Sequence, residues 1–151
     1  MPLRIRIILV AAASCLALGS CATIQHASDR GAARRVAELL RSGRAEDLRR
    51  MSRVPFLIDG EVVPLPQDVA AFWRALAETG WRLEPSLVRS AAAREGWREF
   101  GDTMEVRAFF HNYVDERCRI LTLHTASGEE AILLLWEGFL SRTILGFRGP
   151  R

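Results

Sequence analysis

The chain contains no lysine, one tyrosine and three cysteines, and its basic residues are not clustered. All 21 basic residues are arginines spread along the sequence, and two of them, Arg4 and Arg6, stand at the very start. Without those two, 19 arginines face 18 acidic residues, so the formal charge falls from +3 to +1. A nearly neutral chain lacks the basic patch that nucleic-acid binding requires, and we expect no nucleic-acid partner.

The cysteines are too few for a disulfide framework. Cys15 and Cys21 lie in the N-terminal segment, and Cys118 alone belongs to the rest of the chain. An unpaired thiol cannot form an intrachain disulfide, so we expect Cys118 to be a buried residue rather than a redox group. Because 49% of the residues are hydrophobic, the domain can be stabilised by a core alone.

No apolar run is long enough to cross a bilayer. The apolar stretch at residues 7–18, IILVAAASCLAL, would rise about 18 Å as a helix, whereas the hydrocarbon layer is about 30 Å thick. Arg4 and Arg6 precede this stretch and small residues follow it. A positive start, a short apolar middle and a small-residue exit are typical of a secretory signal peptide.

The stretch ends in Leu18-Gly19-Ser20-Cys21, which resembles the lipobox of bacterial lipoproteins. In that family the cysteine thiol takes a diacylglyceryl group, a peptidase cuts before the cysteine, and the new amino terminus is acylated. The resemblance implies cleavage between Ser20 and Cys21 and a membrane anchor on Cys21. Ala22 replaces the aspartate of inner-membrane lipoproteins, which implies the outer membrane, facing the periplasm. The alternatives are an ordinary signal peptide, with Cys21 incidental, and a retained membrane helix.

Removal of residues 1–20 from the 151 leaves 131, which is the length of one domain. We predict a lipidated, flexible tether over residues 21–30 and a single α+β domain over residues 31–151. Nine flexible residues span about 15 to 18 Å, so the domain should lie close to the membrane. His26 is interpreted as a solvated residue of the tether.

Helical periodicity is found in four stretches of the domain. Residues 31–42 and 45–52 are predicted to be helical, and a third helix follows Asp68 as N-cap and ends before Gly80. Residues 103–115 are predicted to form an amphipathic helix that begins with a capping box of Asp102 and Glu105. Residues 81–101 are predicted to be extended as far as Pro85 and then helical.

Strand signals are found at one hairpin and in the last third of the chain. Asp59-Gly60 between apolar residues is a strong hairpin signal, because both turn positions need a positive φ. Residues 119–125, the doubly apolar stretch EEAILLLWE and residues 139–147 predict a three-stranded antiparallel meander.

This order of elements is similar to that of the nuclear-transport-factor-2-like superfamily, which includes ketosteroid isomerase and small polyketide cyclases. The similarity lies in the stretches AARRVAELLRSG, AEDLRRM, VPFLIDGEVV and DVAAFWRAL and in the closing strands. It implies N-terminal helices packed on a curved antiparallel sheet, as a cone-like roll with an apolar pocket. The amphipathic helix before the C-terminal three-stranded meander is extra to that plan, and another kind of α+β roll is the alternative.

Enzymes of this superfamily place an aspartate, or an aspartate with a histidine, in the pocket. The candidates in this chain are His124, His111, Asp115 and Asp102, with Tyr113 as a hydrogen-bond donor. Each has a structural alternative: Asp102 caps a helix, Asp115 ends the same helix in solvent, and His111 lies at the water boundary. His124 shares a strand face with Ile120 and Thr122, opposite the expected core. Asp59 is explained by the hairpin turn.

Two roles are expected for a group of six aromatic residues, which either pack in the core or line an apolar pocket: Phe72, Trp73, Phe109, Phe110, Tyr113 and Trp136. The residue spacings match no metal site, phosphate loop or hydrolase motif, so neither metal nor cofactor is expected. The preferred function is a non-enzymatic binding domain for an envelope protein or a small apolar ligand. A small isomerase or dehydratase and a structural protein of envelope assembly are the alternatives.

Overall fold

The computed structural model describes residues 23–138 and 141–150, which form an α+β fold, as predicted. The predicted signal peptide, Ser20, Cys21 and Phe139 lie outside the described residues. Helix α1 covers residues 23–41 of the described chain, and one turn of 3₁₀ helix spans Gly96–Glu99. The other elements are α2 (Ala45–Met51), β1 (Ser52–Ile58), β2 (Glu61–Val63), α3 (Pro66–Glu78), β3 (Leu83–Ala92), α4 (Met104–Tyr113), β4 (Cys118–Thr125), β5 (Glu130–Glu137) and β6 (Arg142–Arg148).

The six strands form one open, mixed sheet in the order β2-β1-β6-β5-β4-β3. The predicted meander of β4, β5 and β6 is confirmed, with Leu121 opposite Leu133 and Leu133 opposite Phe147. The expectation of a wholly antiparallel sheet is wrong at one pairing, because β1 runs parallel to β6. These two strands are far apart in the sequence, so no turn between them indicates their relative direction.

Helices cover both faces of the sheet, and each face has its own core. Helices α1, α2 and α3 pack on the first face, the α3 face, where Val36, Trp73 and Leu133 are fully buried. Helix α4 packs on the other, the α4 face, where its Phe109 is buried with Leu134 of β5. Because β5 is buried from both sides, its apolar residues do not alternate with polar ones.

Residues 23–30, predicted to be a flexible tether, are instead part of α1. The reason is Asp29, which is fully buried against the sheet. Its carboxylate accepts hydrogen bonds from the Arg142 guanidinium at 2.7 Å and from the Gln25 amide at 3.1 Å, and a further one from the Ser90 hydroxyl. Gln25, Ser28 and Asp29 therefore bind side chains of the sheet, whereas His26 is exposed to solvent, as expected.

Residues 81–101 also differ from the prediction. Strand β3 continues through Pro85, which an edge strand tolerates because its outer backbone groups need no partner. The helix expected after it is replaced by the 3₁₀ turn at Gly96–Glu99. At Gly96 a Cβ atom would lie 1.9 Å from Cδ1 of Ile120, so any larger residue would force this buried side chain of β4 to move.

Two predicted helix caps are wrong, while the predicted hairpin turn is confirmed by the positive φ of Asp59 and Gly60. Helix α3 begins two residues before Asp68, at Pro66, whose fixed φ suits the first helical position. Helix α4 is capped by Thr103, whose hydroxyl accepts from the Val106 backbone N–H at 3.2 Å. Asp102 instead forms an ion pair with Arg107, and Glu105 accepts a hydrogen bond from the backbone of β2.

The ends of the strands define two ends of the molecule. At one of them, called the Trp136 end, β1, β4 and β6 begin and β3 and β5 finish. The described part of α1 also begins there, because the Gln25 amide donates to the Glu137 carboxylate at 3.0 Å. The opposite end carries the Asp59-Gly60 turn and is called the hairpin end. Within the two described ranges, no helix has both the length and the apolar content that a membrane span requires.

Candidate functional site

A cleft of about 310 Å³ opens on the α4 face at the Trp136 end, between the end of α4 and the start of β1. We call it the α4 cleft. It brings together four residues that the sequence singled out separately: His111, Tyr113, Asp115 and Trp136. Arg53, Asn112 and Arg117 contribute the other polar side chains of its wall.

The last turn of α4 and the residue after it place the side chains on one wall. Helix α4 buries Val106, Phe109 and Phe110, which leaves His111 exposed and Tyr113 47% exposed at the end of the helix. The expected position of His111 at the water boundary is therefore confirmed. Tyr113 does not join the buried aromatic face as its spacing suggested. Val114 then turns the chain into an extended conformation that leads to Asp115.

On the other wall of the α4 cleft, Asp115 is hydrogen-bonded to Arg117 and Trp136. Its carboxylate accepts a hydrogen bond from the Trp136 indole N–H at 3.3 Å and three from Arg117, from the backbone N–H and Nη2 at 2.9 Å each and from Nε at 3.2 Å. Desolvation acts to raise the pKa of Asp115, but the hydrogen bonds from Arg117 and Trp136 lower it below its ordinary value. The group is therefore a carboxylate at neutral pH, with no proton to give as an acid.

Three arginine–tryptophan contacts lie in and beside the cleft. The Arg117 guanidinium lies 4.7 Å from the centre of the Trp136 ring, and Arg98 and Arg107 lie 4.6 and 4.5 Å from the ring of Trp97. An open groove lined by Trp97, Arg94, Arg107 and His111 continues from the cleft along α4. The surface around the end of α4 is therefore aromatic and rich in guanidinium groups.

The remaining catalytic candidates lie elsewhere. Asp59 and Asp102 are exposed at the hairpin turn and just before α4. His124 is half-buried on β4, and its Nδ1 is buried without a hydrogen-bond partner among the described residues. The face that His124 shares with Ile120 is not opposite the core, because Ile120 belongs to the second core beneath α4. These acid–base groups do not meet in one cavity.

The aromatic candidates are divided between the two faces. Phe72 and Trp73 pack on the α3 face, where the Trp73 ring lies 5.6 Å from Phe147 and 6.0 Å from Phe56. Phe109 and Phe110 are buried beneath α4, so only Tyr113 and Trp136 line the α4 cleft.

The sequence reading missed Asp29. Its burial acts to raise its pKa, but the hydrogen bonds from Ser90 and Arg142 and the charges of Arg142 and Arg119 lower the pKa below its ordinary value. A signal was present, because Asp29 precedes Ala33 by four residues and Val36 by seven, on the apolar stripe of α1. The residue is held as a paired carboxylate, which suits attachment of α1 to the sheet.

Among the described residues, no three His, Cys, Asp or Glu side chains are grouped so as to hold a metal ion. Comparison of the chain with protein families, curated proteins and solved structures finds no match.

Proposed function

We propose that this chain is a lipoprotein of the bacterial envelope, anchored through Cys21, whose domain binds an envelope component without catalysing a reaction. The observation that carries the proposal is the sequence Leu18-Gly19-Ser20-Cys21 after a short apolar stretch with two arginines before it. Two or more acyl chains give stable attachment, since each buried CH₂ contributes about 0.8 kcal/mol. The outer membrane, facing the periplasm, is the proposed location.

A nuclear-transport-factor-2-like cone is the proposed fold, supported by the order of its helices and strands. The space that an apolar pocket would need between the helices and the sheet is occupied by Phe56, Trp73 and Phe147, all of which are fully buried. This packing argues against a small apolar ligand in that position. An occupant that contacts the domain from outside is therefore the better interpretation.

The α4 cleft supports binding better than catalysis. A general acid or base needs a pKa near the working pH, and burial in a cavity is the usual means of shifting it. Here the lowered pKa of Asp115 keeps it ionised, and among the described residues no hydrogen bond joins it to the exposed His111, so the two do not form an acid–base pair. By contrast, exposed aromatic and guanidinium groups around one cleft are well suited to contact with a partner.

Lipidation is tested by growing cells with labelled palmitate and separating membranes from soluble protein. We expect the wild-type chain to carry the label, to fractionate with membranes and to give a triacylated N-terminal peptide beginning at Cys21. Cys21→Ser should lose label and membrane attachment, whereas Cys118→Ala, the matched control, should keep both. A mature wild-type chain without fatty acid would overturn the proposal.

Binding at the cleft is tested by placing a photo-crosslinking amino acid at Tyr113 in living cells. We expect an adduct of defined mass, protein or lipid, at this position. Arg74, exposed on α3 and away from the cleft, is the control position and should give none. Equal yields at both positions, or no adduct at Tyr113, would contradict a binding role for the cleft.

A further inference from the structure

We infer that the Trp136 end of the domain rests on the membrane surface, where Arg53 and Arg94 contact the phosphate groups of phospholipids. The inference rests on the proposed function, because the anchor on Cys21 brings the domain to the membrane. It identifies the occupant of the α4 cleft as the lipid headgroup layer.

The first argument is the position and fixation of α1. Cys21 precedes Thr23 by two residues, so their Cα atoms are at most about 7 Å apart. Gln25 is bound to Glu137, and Arg142 bridges Ser28 and Asp29, each at 2.7 Å. The start of α1 is thus fixed to the Trp136 end, and an anchor on Cys21 lies beside that end.

The second argument is the distribution of exposed charge between the two ends. At the Trp136 end, Arg53, Arg94 and Arg117 are exposed near the exposed Glu95 and Glu116 and the half-buried Asp115, and Arg50 is ion-paired with Glu46 and Asp47 of its own helix. The hairpin end is acidic, with exposed Asp59, Glu61, Glu84, Glu129 and Glu130 near Arg82 and Arg148. An anionic membrane repels the acidic hairpin end more strongly than the nearly balanced Trp136 end, which favours one orientation of the domain.

The third argument is the chemistry of the side chains. A guanidinium forms two parallel hydrogen bonds with a phosphate, and Arg53 and Arg94 form no ion pair with any described carboxylate. Both arginines are found at the end of the domain that adjoins the anchor.

The orientation is tested on the lipidated protein in vesicles of phosphatidylethanolamine and phosphatidylglycerol. In a Cys118→Ala background, a nitroxide label is placed at Glu95→Cys, at the Trp136 end, or at Ala126→Cys, at the hairpin end. Electron paramagnetic resonance then measures access of a water-soluble nickel chelate to each label. We expect the label at position 95 to be protected and the label at position 126 to be fully accessible.

The contact itself is tested with charge reversal. Arg53→Glu with Arg94→Glu should abolish protection at position 95, whereas Arg34→Glu with Arg74→Glu, an equal charge change at exposed sites of α1 and α3, should preserve it. Equal access at both labels in vesicle-bound protein overturns the inference and leaves the anchor intact. Protection that requires an envelope extract identifies a protein as the occupant and also overturns it. Protein that fails to float with vesicles contradicts the anchor instead.

Discussion

At the scale of single residues, Asp29 determines how the N-terminal segment is arranged. A buried charge is costly unless other charges and hydrogen bonds satisfy it. Asp29 is fully buried and lies 2.7 Å from Arg142 and 3.6 Å from Arg119. The cluster therefore fixes the position of α1. Removal of one partner should lower the free energy of unfolding by more than the intact pair adds to it.

Asp29→Asn should lower the free energy of unfolding by about 3 kcal/mol, because it leaves Arg142 and Arg119 without their buried counter-charge. Urea unfolding followed by circular dichroism measures the change. Asp68→Asn, at an exposed position in the first turn of α3, is the control and should cost about 0.5 kcal/mol or less. Similar losses in the two variants would show that the buried pair has no special role.

The lowered pKa of Asp29 also predicts a dependence of stability on pH. Because the folded-state pKa lies below the ordinary value of 3.8, the group stabilises the fold above that value, and the contribution is lost as the pH falls through the folded-state pKa. Urea midpoints measured from neutral pH down to acid should therefore fall less for Asp29→Asn than for the wild type. Asp115, whose pKa is also lowered, adds a similar loss to both proteins. Parallel curves would contradict the prediction.

The Cys118 thiol should be unreactive in the folded protein. It is fully buried, and desolvation raises its pKa to about 11, so thiolate is scarce at neutral pH. Iodoacetamide should modify it only after unfolding in urea, as measured by mass spectrometry. Rapid modification of the native chain would place the thiol at the surface.

At the scale of secondary-structure elements, a pair of glycine substitutions tests the 3₁₀ turn. Gly96→Ala should destabilise the protein by about 2 kcal/mol, because its new Cβ would lie 1.9 Å from Ile120. Gly31→Ala, inside α1 with no atom within 4 Å of the new Cβ, should stabilise the protein by about 0.5 to 1 kcal/mol. Thermal unfolding of both variants measures whether each substitution lowers or raises the stability of the protein. A tolerated alanine at position 96 would contradict the prediction and indicate that the Ile120 side chain moves aside at little cost.

Elements with a clear local pattern could be predicted from the sequence, and elements fixed by distant contacts could not. Helix α4, the Asp59-Gly60 turn and the meander each have a periodicity or turn signal of their own. The parallel pairing of β1 with β6 has none, and β3 was obscured because Pro85 disfavours a strand unless it lies at an edge. In the site, Asp115 and Trp136 were identified singly, but their hydrogen bond depends on tertiary packing of α4 against β5.

At the scale of the whole molecule, both faces of the sheet are covered by helices, so the sheet offers a partner only its strand ends and its two edge strands, β2 and β3. The two ends differ in charge, and the described chain begins at the one that is richer in arginine. The described part of helix α1 begins at that end, two residues after the proposed anchor on Cys21. The domain would then be oriented by its own N-terminal helix, and residues 23–30 would be part of the fold.

A comparison of two shortened chains tests whether residues 23–30 belong to the folded unit. A chain starting at residue 31 lacks Gln25, Ser28 and Asp29. Arg142 and Arg119 therefore lose the partners that this segment provides. It should be less stable by about 3 kcal/mol than a chain starting at residue 22, as measured by urea unfolding. A flexible tether would make the two chains equally stable.

Arg142→Leu separates loss of the ion pair from loss of helix length. In the chain starting at residue 22, this substitution leaves the carboxylate of Asp29 buried beside Arg119 alone, so it should destabilise the fold. In the chain starting at residue 31, it removes a guanidinium that has lost its buried partner, so it should restore part of the lost stability. If Arg142→Leu destabilises the chain starting at residue 22 and stabilises the chain starting at residue 31, the N-terminal segment stabilises the fold through the pair of Asp29 and Arg142. A loss of the same size in both would mean that Arg142 acts through Glu137, to which it is bound at 2.9 Å, and that Asp29 adds little.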